Sequence, residues 1–182
     1  MKKSMIASIV ALGMASGFAQ AAEQDVTFTG SVTAVTCDLV VSGEGTNANL
    51  PNQVALGTAK KGERAGAVEF AFKPAQTAGN QSSCDDMESN GKATITWFGS
   101  NFNGTALANA SGTATDALVE VKALNADAAD NNKVVSASGT AHNFPASLLK
   151  TGGEGLKYSA ELVGGQEAGS VDTTARYAFS YK

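Results

Sequence analysis

The sequence predicts an all-β fold, an antiparallel sandwich or barrel. Two observations lead there. Short runs alternate apolar and polar residues with the period of two that sends successive side chains to opposite faces of a strand. Stretches rich in Gly, Asn, Asp and Thr separate these runs, and beyond the leading segment no long stretch repeats every 3.6 residues. Seven or more short strands with turn signals between them fit two packed sheets.

The elements follow in chain order. Residues 25–36 alternate strictly, with Val26, Phe28, Gly30, Val32 and Ala34 on one face and Thr27, Thr29, Ser31 and Thr33 on the other. Residues 37–41 continue as a second segment after a kink. Residues 43–52 hold Gly43, Gly45, Asn47, Asn49 and Pro51 and read as a turn-rich loop. A weak strand is expected at 53–56, and a stronger one at 67–72, where Val68, Phe70 and Phe72 are in register. Residues 74–90 are polar and contain Cys84. Residues 93–98 read as a strong strand and 101–115 as a loop. Residues 117–124 alternate, with Val119 and Val121 opposite Leu118, Glu120 and Lys122. A polar turn occupies 127–133, and 156–163 and 175–181 are the last two strands. The alanines sit among Thr, Gly and Asn and do not argue for helix. No internal repeat or domain linker is visible.

The first 21 residues carry the marks of a secretory signal sequence. Lys2 and Lys3 precede an apolar run ending at Ala19-Gln20-Ala21, a small-x-small cleavage pattern. That run is too short and too rich in Gly, Ala and Ser for a spanning helix, which needs about 20 apolar residues. Cleavage after Ala21 leaves 22–182, a length suited to one domain. It also removes two lysines from a chain whose net charge is already −4. An acidic protein without a basic cluster is not expected to bind nucleic acid or an anionic membrane through charge.

Export places Cys37 and Cys84 in an oxidising compartment, where an even cysteine count favours a disulfide. The bridge would close a loop of about 48 residues, for which chain entropy gives roughly 4 kcal/mol. A zinc site would want further ligands at short spacing, and the single histidine, His142, stands alone. The same isolation argues against an enzyme, since His142 has no nucleophile at a recognisable motif. Asp85, Asp86 and Glu88 read as a polar loop beside the disulfide. Lys60-Lys61-Gly62 lacks the pattern of a phosphate loop. No cofactor or metal is expected.

The two ends carry the most information. Ala175, Tyr177, Phe179 and Tyr181 share one face of the final strand, and Gly169, Val171 and Thr173 keep the same parity upstream. The segment from Val26 to Cys37 has a glycine, Gly30, on its apolar face, with Cys37 seven residues later. A glycine there often marks close approach by another backbone. Gly169 is fourteenth from the end and Tyr181 is penultimate. In the signal sequence, the glycine-to-cysteine spacing, the two cysteines and the Gly169/Tyr181 ending, the chain resembles the subunits of chaperone–usher pili, especially the type 1 and F17-like groups. It departs from their pattern in the long polar stretch between Phe72 and Cys84.

The resemblance implies an incomplete immunoglobulin-like (pilin) sandwich completed by donor-strand exchange. Residues 22–36 would be the N-terminal donor-strand extension and 37–182 the pilin domain. Val26, Phe28, Gly30 and Val32 would be the donor residues. Gly169, Tyr177, Phe179 and Tyr181 would line the acceptor groove, and Lys182 would anchor the chaperone. The partners implied are identical or related pilin subunits, a periplasmic chaperone and an outer-membrane usher. The protein would pass through the periplasm to a fimbrium on the cell surface and support adhesion. The alternative reading is a minor adaptor or adhesive subunit that binds a host receptor.

Overall fold

Alternation becomes pairing in a computed structural model of the chain, which describes residues 36–47 and 50–182. The expected signal sequence and the donor residues Val26, Phe28, Gly30 and Val32 lie outside them. In order the strands are β1 (Leu39–Gly43), β2 (Thr46–Asn47), β3 (Leu50–Val54), β4 (Val68–Pro74), β5 (Lys92–Phe98), β6 (Leu107–Ala108), β7 (Leu118–Ala123), β8 (Ala141–Pro145), β9 (Leu156–Val163) and β10 (Arg176–Tyr181). A short helix, α1 (Asn80–Asp85), precedes β5, and a 3-10 turn (Ala146–Leu149) follows β8.

One sheet has the order β1-β4-β9-β7-β6 and the other β10-β5-β8, all pairs antiparallel. β2 and β3 form a separate small hairpin. The inward faces are those the period of two assigns. Leu156, Tyr158, Ala160 and Leu162 of β9 are buried, as are Val119, Val121 and Ala123 of β7 and Ala93, Ile95 and Trp97 of β5. In β4 the alternation breaks, because Phe70, Ala71 and Phe72 are all buried. Ala71 faces outward but is covered by the turn at Gly155, where a Cβ would come within 3.3 Å of it.

Tyr158 is the centre of the interior. Its ring lies 5.4–5.7 Å from Phe70, Phe72, Trp97 and Phe144 and 5.6 Å from the His142 imidazole. Such edge-on and offset contacts suit the ring quadrupole and add to the area each ring buries. His142 is the fully buried polar residue of the set, with Nδ1 3.1 Å from the Tyr158 hydroxyl.

Four parts of the chain differ from the sequence expectation. The loop expected at 43–52 contains the β2–β3 hairpin, and the weak strand expected at 53–56 ends at Val54. The polar stretch 74–90 contains α1, of which only Asn80 and Cys84 are buried. Two inward residues in six leave no helical periodicity to read. The loop expected at 101–115 contains β6, whose buried Leu107 pairs with Val119. β8 was not anticipated at all. Its inward pair, His142 and Phe144, is separated by Asn143 and followed by Pro145, a weak strand pattern.

Candidate groove between the two sheets

Between the sheets runs a groove of about 880 Å³. Its floor is apolar and comes from both sheets: Phe70 and Phe72 of β4, Val119 and Val121 of β7, Leu162 of β9 and Trp97 of β5. One wall is the strip 52–59, carrying Val54 and Leu56. The other is the strip 169–177, carrying Val171, Ala175 and Tyr177. The lining carries Asp172 and Arg176 but otherwise only neutral side chains. An extended segment with apolar residues at every second position matches such a floor.

The second wall is tied down by side chains. There Asn109 holds the strip 170–172 with both ends of its amide. Its Oδ1 accepts the Asp172 N–H at 2.9 Å, and its Nδ2 donates to the Ser170 carbonyl at 3.1 Å. Thr113 adds a bond from the Ser170 N–H to its Oγ1 at 3.0 Å, and the Ala114 N–H donates to the Ser170 carbonyl. Gly169 permits this approach, since a Cβ there would lie 2.2 Å from Thr113 Oγ1 and 2.7 Å from the Ala114 nitrogen. Downstream of the first wall, Arg64 bridges to Val163 and donates to Glu161 at 2.7 Å and Glu120 at 3.3 Å. These bonds, first those to Glu120, raise the Arg64 guanidinium above its ordinary value.

Among the described residues the Thr173 hydroxyl of the groove wall is buried without a hydrogen-bond partner, whereas the Trp97 indole N–H is directed at the Tyr158 hydroxyl. Burying such a group unpaired costs about 1–3 kcal/mol. An occupant that brings its own backbone polar groups offers the Thr173 hydroxyl a partner.

The structure brings some of the expected residues together and separates others. Gly169 and Tyr177 line the groove. Tyr177 also reaches across to β1, its hydroxyl donating to the Leu39 carbonyl at 3.4 Å, and burial raises its phenol above the usual value. Phe179 and Tyr181 lie further along β10 and outside the groove lining, their rings stacked at 6.0 Å and packed against the core. Lys182 pairs with Lys92 through both backbone groups, at 2.7 and 3.0 Å. Cys37 and Cys84 form the disulfide, with an S–S distance of 2.10 Å. The whole floor and the 52–59 wall were not foreseen. Periodicity had put Phe70, Phe72, Val119 and Val121 on inward faces, which is the signal that could have found them.

Comparison with known proteins gives one full-length relative. The chain is 35% identical over 182 residues to the F107 fimbrial protein of Escherichia coli, covering 100% of both. Among solved structures, it aligns with the P pilus rod subunit PapA at 16% identity and a TM-score of 0.49, over 87% of this chain and 100% of that one. It aligns with a subunit of a chaperone-usher pilus at 16% identity and a TM-score of 0.45, over 88% and 96%. No family model matches the chain.

Proposed function

The chain belongs to the fimbrial-protein family, and we propose that it is a structural subunit of a surface fimbria, joined head to tail by donor-strand exchange. The observation that carries the proposal is the groove. Its apolar floor is drawn from two sheets, and its two walls are extended strips. β10 closes one end of the order β10-β5-β8 beside it. A strand from another copy laid between 52–59 and 169–177 would cover the partly buried Val54, Leu56, Val171 and Tyr177 and complete the sandwich. This is strand addition between chains.

The donor is the extension 22–36, with Val26, Phe28 and Val32 as its apolar side chains and Gly30 between them. Burying each apolar side chain is worth at most about 1.5–3 kcal/mol. Because the donated strand becomes part of the core, its release requires partial unfolding, and the joint is long-lived for kinetic reasons. The acceptor domain is 37–182. Tyr177 forms the groove wall, and Phe179, Tyr181 and Lys182 extend it along β10. Before assembly a periplasmic chaperone covers the same groove, since exposed apolar surface and strand edges aggregate. At an outer-membrane usher the next subunit's extension replaces it. Head-to-tail growth does not close, so it yields a filament. The role is structural, with no catalytic step.

The test deletes 22–35 from the secreted chain. The truncated domain should still bind its chaperone and fail to extend a fibre, as seen by electron microscopy of the cell surface. Gly30→Leu should give the same loss of fibre with a folded domain. Normal fibres from the deletion would overturn the donor assignment.

A further inference from the structure

We propose that Asn80 pins Asp38, the residue after the disulfide, so that the end of β1 from which the donor extension leaves is a fixed anchor in the domain. The proposal rests on the donor reading above.

Asn80 and Cys84 stand one turn apart on α1, and both are buried. They grip consecutive residues. Cys84 is bonded to Cys37. Asn80 holds the backbone of Asp38 at two points: its Oδ1 accepts the Asp38 N–H at 2.7 Å, and its Nδ2 donates to the Asp38 carbonyl at 3.0 Å. The same Nδ2 donates to the Ala75 carbonyl at 2.9 Å, and the Ala75 N–H donates to the Asp38 carbonyl at 2.8 Å. The side-chain amide thus acts as one more peptide group in the ladder. It continues the β1–β4 pairing one residue beyond Leu39↔Pro74.

A disulfide alone is a single tether, and its side-chain bonds leave the attached backbone able to turn. A two-point grip on the next residue removes that freedom. The grip is useful only if α1 is itself fixed, and it is. The Asp85 carboxylate accepts the Thr151 N–H at 2.6 Å and its hydroxyl at 2.7 Å, and Lys150 Nζ donates to the Asp85 carbonyl at 2.8 Å. Residues 150 and 151 directly follow the turn after β8, which belongs to the second sheet. The junction is therefore braced to both sheets. In a filament, this anchor is the point at which each domain holds the strand that it donates. Loosening the anchor should spare assembly and blur orientation.

The test uses the full chain, secreted and assembled, with Asn80→Ala and Asn80→Asp. The aspartate keeps an acceptor for the Asp38 N–H and loses both donated bonds. Both variants should form fibres with the disulfide closed. Helical regularity in electron micrographs should fall in both. Hydrogen exchange at the Asp38 amide should rise about ten-fold in Asn80→Ala, with the β1 amides little changed. Variant fibres with the regularity and Asp38 protection of the parent would overturn the proposal. So would failure of both variants to be secreted, which would make Asn80 a folding residue. Fibres formed by a chain lacking 22–35 are a separate result, and they remove the donor reading instead.

Discussion

Tyr177 and Phe72 lie ring to ring, with centroids 4.5 Å apart, so the edge strand β10 rests on the groove floor supplied by the opposite sheet. The two rings have different burial, and their removal should separate folding from binding. Phe72 is 0% exposed, and Phe72→Ala should cost about 3–5 kcal/mol of domain stability. Tyr177 is only partly buried, and its ring contacts are worth about 0.5–1.5 kcal/mol beyond area. Tyr177→Ala should leave the domain folded and weaken its binding to a peptide of residues 22–36. Urea unfolding and peptide titration check the pair. Equal loss of stability in both variants would remove the distinction.

Gly169→Ala forces a Cβ into Thr113 and the Ala114 nitrogen, so the 169–172 strip must lift from 109–114. Overpacking of this kind costs about 1–3 kcal/mol. A lowered melting temperature together with faster exchange at the Ser170 and Asp172 amides is the expected outcome. An unchanged melt would show that the strip yields freely.

The Cys37–Cys84 bond closes a loop of sequence separation 47. Replacing both cysteines by serine should cost about 2–5 kcal/mol, read as a shifted urea midpoint. The loss should be similar on reduction of the parent protein by dithiothreitol.

Stability should also decline in mild acid. Burial lowers the His142 imidazole, against the pull of Asp130 and with a smaller push from Lys133, and Tyr158 is its hydrogen-bond partner. The unfolded chain therefore takes up the proton first. The His142 contribution is complete above about pH 6.5 and is lost as pH falls below it, by at most about 1.4 kcal/mol per pH unit for one proton. Asp130 comes next. Burial opposes its ionised form, but the backbone and side-chain N–H groups of Asn143 outweigh that and leave its carboxyl lowered. Its contribution is present above the ordinary carboxylate range and lost as pH falls below that range through the lowered folded value. Urea midpoints between about pH 7.5 and 3 should fall in the parent, and His142→Gln should flatten the upper part of the curve. A parallel pair of curves would place the acid sensitivity elsewhere.

Much of the sandwich was legible because its strands obey one rule. β5, β7, β9 and β10 each bury alternate residues or face the core with them, and a period of two exposes that pattern directly. β8 escaped because a histidine serves as a core residue there, and no scale of apolarity marks His142 as buried. α1 escaped because its inward pair is Asn80 and Cys84, one acting as a backbone mimic and the other as a cross-link. For the groove, alternation named the inward faces, but a face does not name its neighbour. That Trp97, Phe72, Val121 and Leu162 meet in one place depends on strand order and register, which are set by contacts distant in sequence. The C-terminal parity put Gly169, Tyr177, Phe179 and Tyr181 on one face; the first two line the groove between the sheets, and the last two lie beyond its lining.

The chain has one tryptophan, and it lies on the groove floor, 5.8 Å from Phe72 and 5.4 Å from Tyr158 by ring centroid. Its indole is thus a built-in optical gauge. Covering the groove should change the surroundings of this buried indole and shift its emission. Subunit joining could then be timed in solution without attaching a dye.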